Sequence, residues 1–111
     1  MATPEPRWLA VHRHRIGRLR APFVLVVQHH LVRAATRIVA PIVRIGPQPV
    51  TFLAPRVVVG ELEFGAILLE MAASPLRLLA EPVAETEVDE DAVATALDAI
   101  FRGTPVGLPL S

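Results

Sequence analysis

A chain of 111 residues makes one domain with a modest core, and the absence of cysteine excludes disulfides and thiolate-bound metal. Its formal net charge is zero, but up to Arg56 it carries nine arginines against the single acid Glu5, and beyond Arg56 two arginines against ten acids. A basic half joined to an acidic half favours an acidic partner or head-to-tail complementarity with a second copy.

The apolar runs at 23–27 and 38–43 are broken by Pro or Arg well short of the ~18 residues of a membrane span. The first residues have neither a basic start nor an apolar run, so no secretory leader is expected. The expectation is a soluble, cytoplasmic protein.

Residues 1–6 hold two prolines and no apolar period, and read as a loose lead-in. Alternation of Trp8, Ala10, His12 and His14 against Leu9, Val11 and Arg13 predicts a first strand near 7–13. Arg13, Arg15, Arg18 and Arg20 then surround Gly17 in a basic turn. Pro22 opens the β-branched run F-V-L-V-V-Q, a central strand with proline at its permitted first position. T-R-I-V-A-P-I-V-R, residues 36–44, predicts another strand. Pro41 within it lacks an N–H, which places that strand at an edge or kinks it.

Gly46-Pro47-Gln48-Pro49 is a turn. R-V-V-V-G and E-L-E-F-G-A-I-L-L-E read as a hairpin turning at Gly60-Glu61. Met71 to Pro75 reads as a turn, and Leu76 to Val83 is ambiguous. From Thr86 to Gly103 a helix is predicted, because Val93, Ala96, Leu97, Ile100 and Phe101 recur on one face. Thr86 with Asp89 resembles a capping box, and Asp89 is an equally good N-cap. Acids crowd the N-terminal end, Arg102 stands at the C-terminal end, and Gly103 supplies the left-handed cap. These elements describe an α+β, mainly β domain: a small SH3-like barrel of about five antiparallel strands with a C-terminal helix.

Few residues offer chemistry. Glu61, Glu63 and Glu70 read as solvated strand edges, and the acids at 85–91 as a helix start. His12 and His14 share a strand face at a spacing that can hold metal, but nothing near them completes a site. His29-His30 reads as an exposed strand end. The basic turn at 13–20 lacks an interleaved aromatic, so an acidic peptide fits it better than nucleic acid. No catalytic residue, metal or cofactor is expected.

Several motifs in one order resemble the CcdB family, the toxin half of toxin–antitoxin pairs. Pro22-Phe23-Val24-Leu25-Val26-Val27-Gln28 is similar to the family's P-[FY]-L-x-x-V-Q strand, and Thr36-Arg37-Ile38-Val39-Ala40-Pro41-Ile42 to its T-R-V-V-V-P-L strand. Leu53-Ala54-Pro55 leads into the next strand as L-x-P does there. Ala96 to Gly103 resembles A-[IL]-[ND]-x-[LM]-F-W-G. The likeness is collinear over residues 8–103.

The resemblance implies a single CcdB-like domain over 7–103, with 104–111 as a tail, and a CcdB/MazF-type fold in a homodimer. It also implies a CcdA-like antitoxin whose disordered tail wraps the toxin, and the DNA gyrase A subunit as target. The mechanism implied is topoisomerase poisoning, in which a terminal Trp-Gly-Ile from both subunits wedges the cleaved gyrase–DNA complex open. Here those positions are Arg102, Gly103 and Thr104, so only the glycine is retained. These three are the expected gyrase-binding residues, Ile100 and Phe101 the expected dimer contacts, and Arg13, Arg15, Arg18 and Arg20 the expected antitoxin site. Neither a membrane partner nor direct sequence-specific DNA binding is implied.

Two further readings stand beside the gyrase inhibitor. One is a homologue that dimerises and binds antitoxin without poisoning gyrase. The other is an endoribonuclease in the manner of the fold-related MazF toxins. Their G-[ED]-Q-x-G-x-R-P loop is echoed only by Arg20-Ala21-Pro22 before Val24-Leu25-Val26, without the Glu-Gln pair.

Overall fold

The computed structural model describes residues 6–15, 23–44 and 53–103. In chain order the strands are β1 (Val11–His14), β2 (Phe23–Val26), β3 (Thr36–Arg44), β4 (Arg56–Val59), β5 (Leu62–Ala66), β6 (Ala72–Pro75), β7 (Leu79–Pro82) and β8 (Thr86–Val88). Short 3-10 turns occupy Leu68–Glu70 and Leu76–Leu78, and the helix α1 spans Glu90–Arg102. Every strand pair is antiparallel, in the order β7-β1-β2-β3-β5-β4-β8, with β6 also paired to β3.

The fold hangs on β3, whose β-branched residues suit a strand covered on both faces. Arg37 and Val39 are buried on one face, Ala40 and Ile42 on the other. Along one side β3 pairs with β2, from Phe23↔Ile42 to Val26↔Val39. Along the other it changes partner, meeting β6 over Thr36 to Val39 and β5 over Ile42 to Arg44. Pro41 lies at the change. Its carbonyl accepts the Ile67 N–H at 2.9 Å on that side, and the N–H it lacks would point into the gap between the two partners. Of the two expectations, an edge or a kink, the edge fails: the strand is central, and its proline is tolerated because the neighbouring ladder is interrupted there.

The two faces of the sheet bury separate cores. Under α1, Val11, Leu25, Ala40 and Ile42 meet Val93 and Ala96. On the opposite face Val24, Val26, Val39 and Leu79 cluster. His14 Nε2 lies 3.1 Å from Ser74 Oγ, so β1 and β6 approach each other across the face that β2 and β3 separate. The sheet is curled.

It is not a closed barrel, and it has eight strands among the described residues rather than about five. The segment from Ala72 to Pro82 runs first along β3 and then along β1. The 3-10 turn at Leu76–Leu78 breaks it between these two pairings, so no continuous ladder closes the ring. The class, α+β and mainly β, is as expected.

Elsewhere the expectations fare unevenly. The hairpin turns at Gly60-Glu61, with Val59↔Leu62 as its last pair and Gly60 at φ 62, the positive φ that a II′ turn needs first. Trp8 and Leu9 form a turn, so the first strand begins only at Val11. Met71 to Pro75 is largely strand rather than turn. Thr86 to Val88 is β8, paired with β4 through Val57↔Val88, and not helix. Of the lead-in expected over 1–6 only Pro6 is described, and it is buried; the rest of it, the turn at 46–49 and the tail 104–111 lie outside the described residues.

The helix begins where the aspartate allows it. Asp89 is extended, and its Oδ1 accepts the Ala92 N–H at 3.1 Å. Glu90 and Asp91 fill the first turn and Arg102 the last, each matching the helix dipole. Gly103, at φ 72, closes the helix by donating its N–H to the Ala99 carbonyl at 3.0 Å. Among the described residues no helix is long and apolar enough to cross a membrane.

Asp89→Ala is expected to lower unfolding stability by about 1 kcal/mol through loss of the cap. By contrast, Glu63→Gln, which breaks the exposed Arg56–Glu63 pair at 3.5 Å, should change it by no more than about 0.5 kcal/mol. Urea denaturation of the two variants beside the parent checks both values, and equal losses would contradict the assignment of Asp89 as the cap.

Candidate functional site

The C-terminal helix is anchored at its start and middle and released at its end. Val93 and Ala96 are fully buried, and Leu97 and Ile100 pack against the same core. One residue later the apolar stripe leaves the protein, for Phe101 is 72% exposed. Arg102 beside it is exposed and lies 3.9 Å from Asp98 one turn back, a long solvated pair that contributes little. Gly103 then turns the backbone away.

The tip therefore presents Phe101, Arg102 and Gly103 together, while Thr104 lies outside the described residues. Of the two residues expected at a dimer contact, Ile100 serves the core of its own chain and Phe101 is free to meet another.

A second feature gathers around the basic residues. Arg13 and Arg15 are exposed at the end of β1, whereas Arg18 and Arg20 lie outside the described residues. The Arg13 guanidinium stands 4.9 Å above the Phe23 ring, Phe23 meets Phe64 edge-on at 5.9 Å, and Arg44 stands 5.8 Å from Phe64. Strand register makes this row: Arg13↔Phe23 and Arg44↔Phe64 are direct cross-strand partners. Each cation–aromatic contact contributes roughly 0.5–1 kcal/mol at such exposure and keeps a long side chain extended. Arg44 was not among the expected antitoxin residues. Only its pairing with Phe64 brings it to the same surface.

The histidines divide by environment. His12 is buried, and its Nδ1 donates to the Ala80 carbonyl at 2.6 Å, tying β7 to β1. Its Nε2 is buried without a partner among the described residues. His14 faces Ser74. Both rings are thus occupied with the sheet, and among the described residues no three metal-binding side chains gather.

His29 and His30 stack on each other at 4.2 Å, and Trp8 lies 5.5 Å from His29. Arg7 Nη2 donates to His30 Nε2 at 3.2 Å, and the Trp8 N–H faces His30 Nδ1 at 3.4 Å. His29 is exposed beyond the end of β2, as expected, and His30 is half-buried; unexpected is the ring cluster they form with Trp8, joined across 22 residues of sequence. No local pattern announced it.

Partial desolvation, then the Arg7 charge, then His29 hold the His30 pKa below its ordinary 6.5. The unfolded chain therefore binds a proton at His30 more readily than the folded one, and stability must fall as pH drops below about 6.5 and continue to fall until His30 itself titrates. Melting temperatures between pH 7.5 and 5 should show this loss in the parent and a smaller loss in His30→Gln. Identical pH profiles would exclude a role for His30.

A family model described as "CcdB protein" matches residues 9–103, which includes every described strand and the helix to its glycine cap. Comparison with individual curated proteins gives no match. A match over most of the chain, on a curled antiparallel sheet with this C-terminal helix, establishes the family: the chain belongs to the CcdB family, the toxins of toxin–antitoxin systems.

Proposed function

We propose that this toxin acts as a homodimer on the DNA gyrase A subunit, entering the complex while DNA is cleaved and holding it open. It catalyses nothing itself; it stabilises an intermediate of another enzyme, and it works in the cytoplasm where that enzyme is. Residues 7–103 form the working domain, with 1–6 and 104–111 outside it. The observation that supports the reading is the helix tip, where a packed helix ends in an exposed Phe101-Arg102-Gly103, the residues that resemble the family's F-W-G ending.

The tip is chemically altered. An interfacial tryptophan is typically worth about 2 kcal/mol or more, of which stacking on a cation supplies some 0.5–2 kcal/mol. Arg102 has no aromatic face and would repel an arginine on the target, once from each subunit. The cognate gyrase is therefore expected to offer Arg102 an acidic or aromatic group instead. Phe101 retains an aromatic at the tip, one position earlier, and is the exposed apolar side chain there that a second subunit can cover, Ile100 being packed on its own core.

The antitoxin is proposed as CcdA-like, with an acidic disordered tail lying over Arg13 and Arg15, joined by Arg18, Arg20 and the newly recognised Arg44. In the first 56 residues only Glu5 carries negative charge, so little in that half opposes such a tail.

The purified chain, incubated with gyrase of its own host, supercoiled DNA and ATP, should yield linear DNA after detergent treatment. Deletion of Arg102-Gly103-Thr104 should abolish that product. No linear product from the intact chain would favour the homologue that dimerises and binds antitoxin without poisoning, and RNA cleavage would then be assayed. Separately, Arg13→Glu with Arg15→Glu should weaken antitoxin binding at least about tenfold while sedimentation still reports a dimer. Unchanged affinity in that variant would remove the basic face from the antitoxin interface.

A further inference from the structure

The ring cluster at Trp8 has no part in either surface above, and its construction is deliberate. Leu9 has φ 64, a left-handed conformation that costs a bulky L-residue on the order of 1–2 kcal/mol. The turn is fixed by Leu9 N–H to the Val26 carbonyl at 2.7 Å and Ala10 N–H to the Arg7 carbonyl at 3.1 Å. Leu9 packs against the core, while Trp8 belongs to neither core cluster and stacks outside.

The opposing loop is equally constrained. Gln28 bridges it, donating to the Val32 carbonyl at 2.8 Å and accepting the Ile38 N–H at 3.1 Å, and the Leu31 N–H is held by His29 Nδ1. These two segments bring Trp8, His29 and His30 together, with His29 stacked on His30 and Trp8 tilted at 37° to His29.

The charge shown beside the rings is positive: Arg7 touches His30. No Asp or Glu occurs between Arg7 and Arg56 in the sequence. Metal is a poor fit, because His29 Nδ1 accepts a backbone N–H and, among the described residues, no third metal-binding side chain joins the pair. An acidic peptide would use the arginine and leave the ring faces idle. Flat rings beside a guanidinium group match a stacked base beside its phosphate.

We propose that the Trp8–His29–His30 ring cluster, with Arg7 beside it, binds single-stranded nucleic acid without sequence preference, a base packing against the cluster and the adjoining phosphate on Arg7. The site is separate from the helix tip and stands whether or not the chain acts on gyrase.

Trp8 is the only tryptophan, so its fluorescence reports this site alone. Titration of the full chain with a thymidine oligomer of about a dozen nucleotides should give saturable quenching that weakens as salt is raised. His29→Ala and Arg7→Glu, each verified as folded by circular dichroism, should weaken binding at least about fivefold. A variant lacking Arg102-Gly103-Thr104 should bind the oligomer as the parent does. Four results would overturn the proposal: no quenching at millimolar nucleotide, affinity unchanged in both point variants, equal affinity for a duplex, or equal quenching by a polyglutamate peptide of matched charge.

Discussion

One strand with a single neighbour on one side and two on the other determines where everything else in this protein can go. β3 holds β2 along its full pairing and divides its opposite side between β6 and β5 at Pro41. A residue with an N–H at that point would present a donor to a gap, where a buried donor without a partner costs about 1–3 kcal/mol. Proline presents none. The interruption also fixes the two ends of the β2–β3 pair: the arginine–phenylalanine row forms at Phe23 and Arg44, and the loop carrying His29 and His30 leaves beyond Val26.

The helix tip depends on the same strand at one remove. Ala40 and Ile42, pointing to the face opposite Arg37, form the floor on which Val93 and Ala96 rest. With those residues fully buried, the last turn has no freedom to fold Phe101 back onto the protein. Its exposure results from where the core stops, and the glycine cap prevents the helix from extending further. An apolar side chain kept in water by a rigid scaffold is already in position to bind, so association need not first order it.

How much could be read from the residues varied with how local the cause was. The run T-R-I-V-A-P-I-V-R marks its own ends, and β3 spans the same residues 36–44. The hairpin at Gly60 and the helix after Asp89 likewise rest on neighbours in sequence. By contrast, Thr86-Glu87-Val88 reads as a helix cap because Thr86 stands three residues before Asp89, yet pairing with β4 makes it a strand. β6 and β7 are equally short and take their conformation from β3 and β1.

At the candidate sites the same division holds. The Arg13 cluster is visible as a run of arginines, but Arg44 joins it through strand register. Trp8 and the histidine pair meet only because β1 and β2 lie side by side. Side chains that are distant in sequence and carry no motif leave no periodic trace.

The contact between His12 and the Ala80 carbonyl closes a loop of 68 residues, and among the described residues β7 is the only strand on that flank of β1. During synthesis, then, β1 and β2 can pair early, but the flank of β1 stays an open edge until residues 79–82 have left the ribosome. The basic half of the chain is thus made first and waits, unsealed, for the acidic half that completes its sheet. For a toxin that order has a practical meaning: the curled sheet that supports the helix tip is sealed only after the whole basic half has been made.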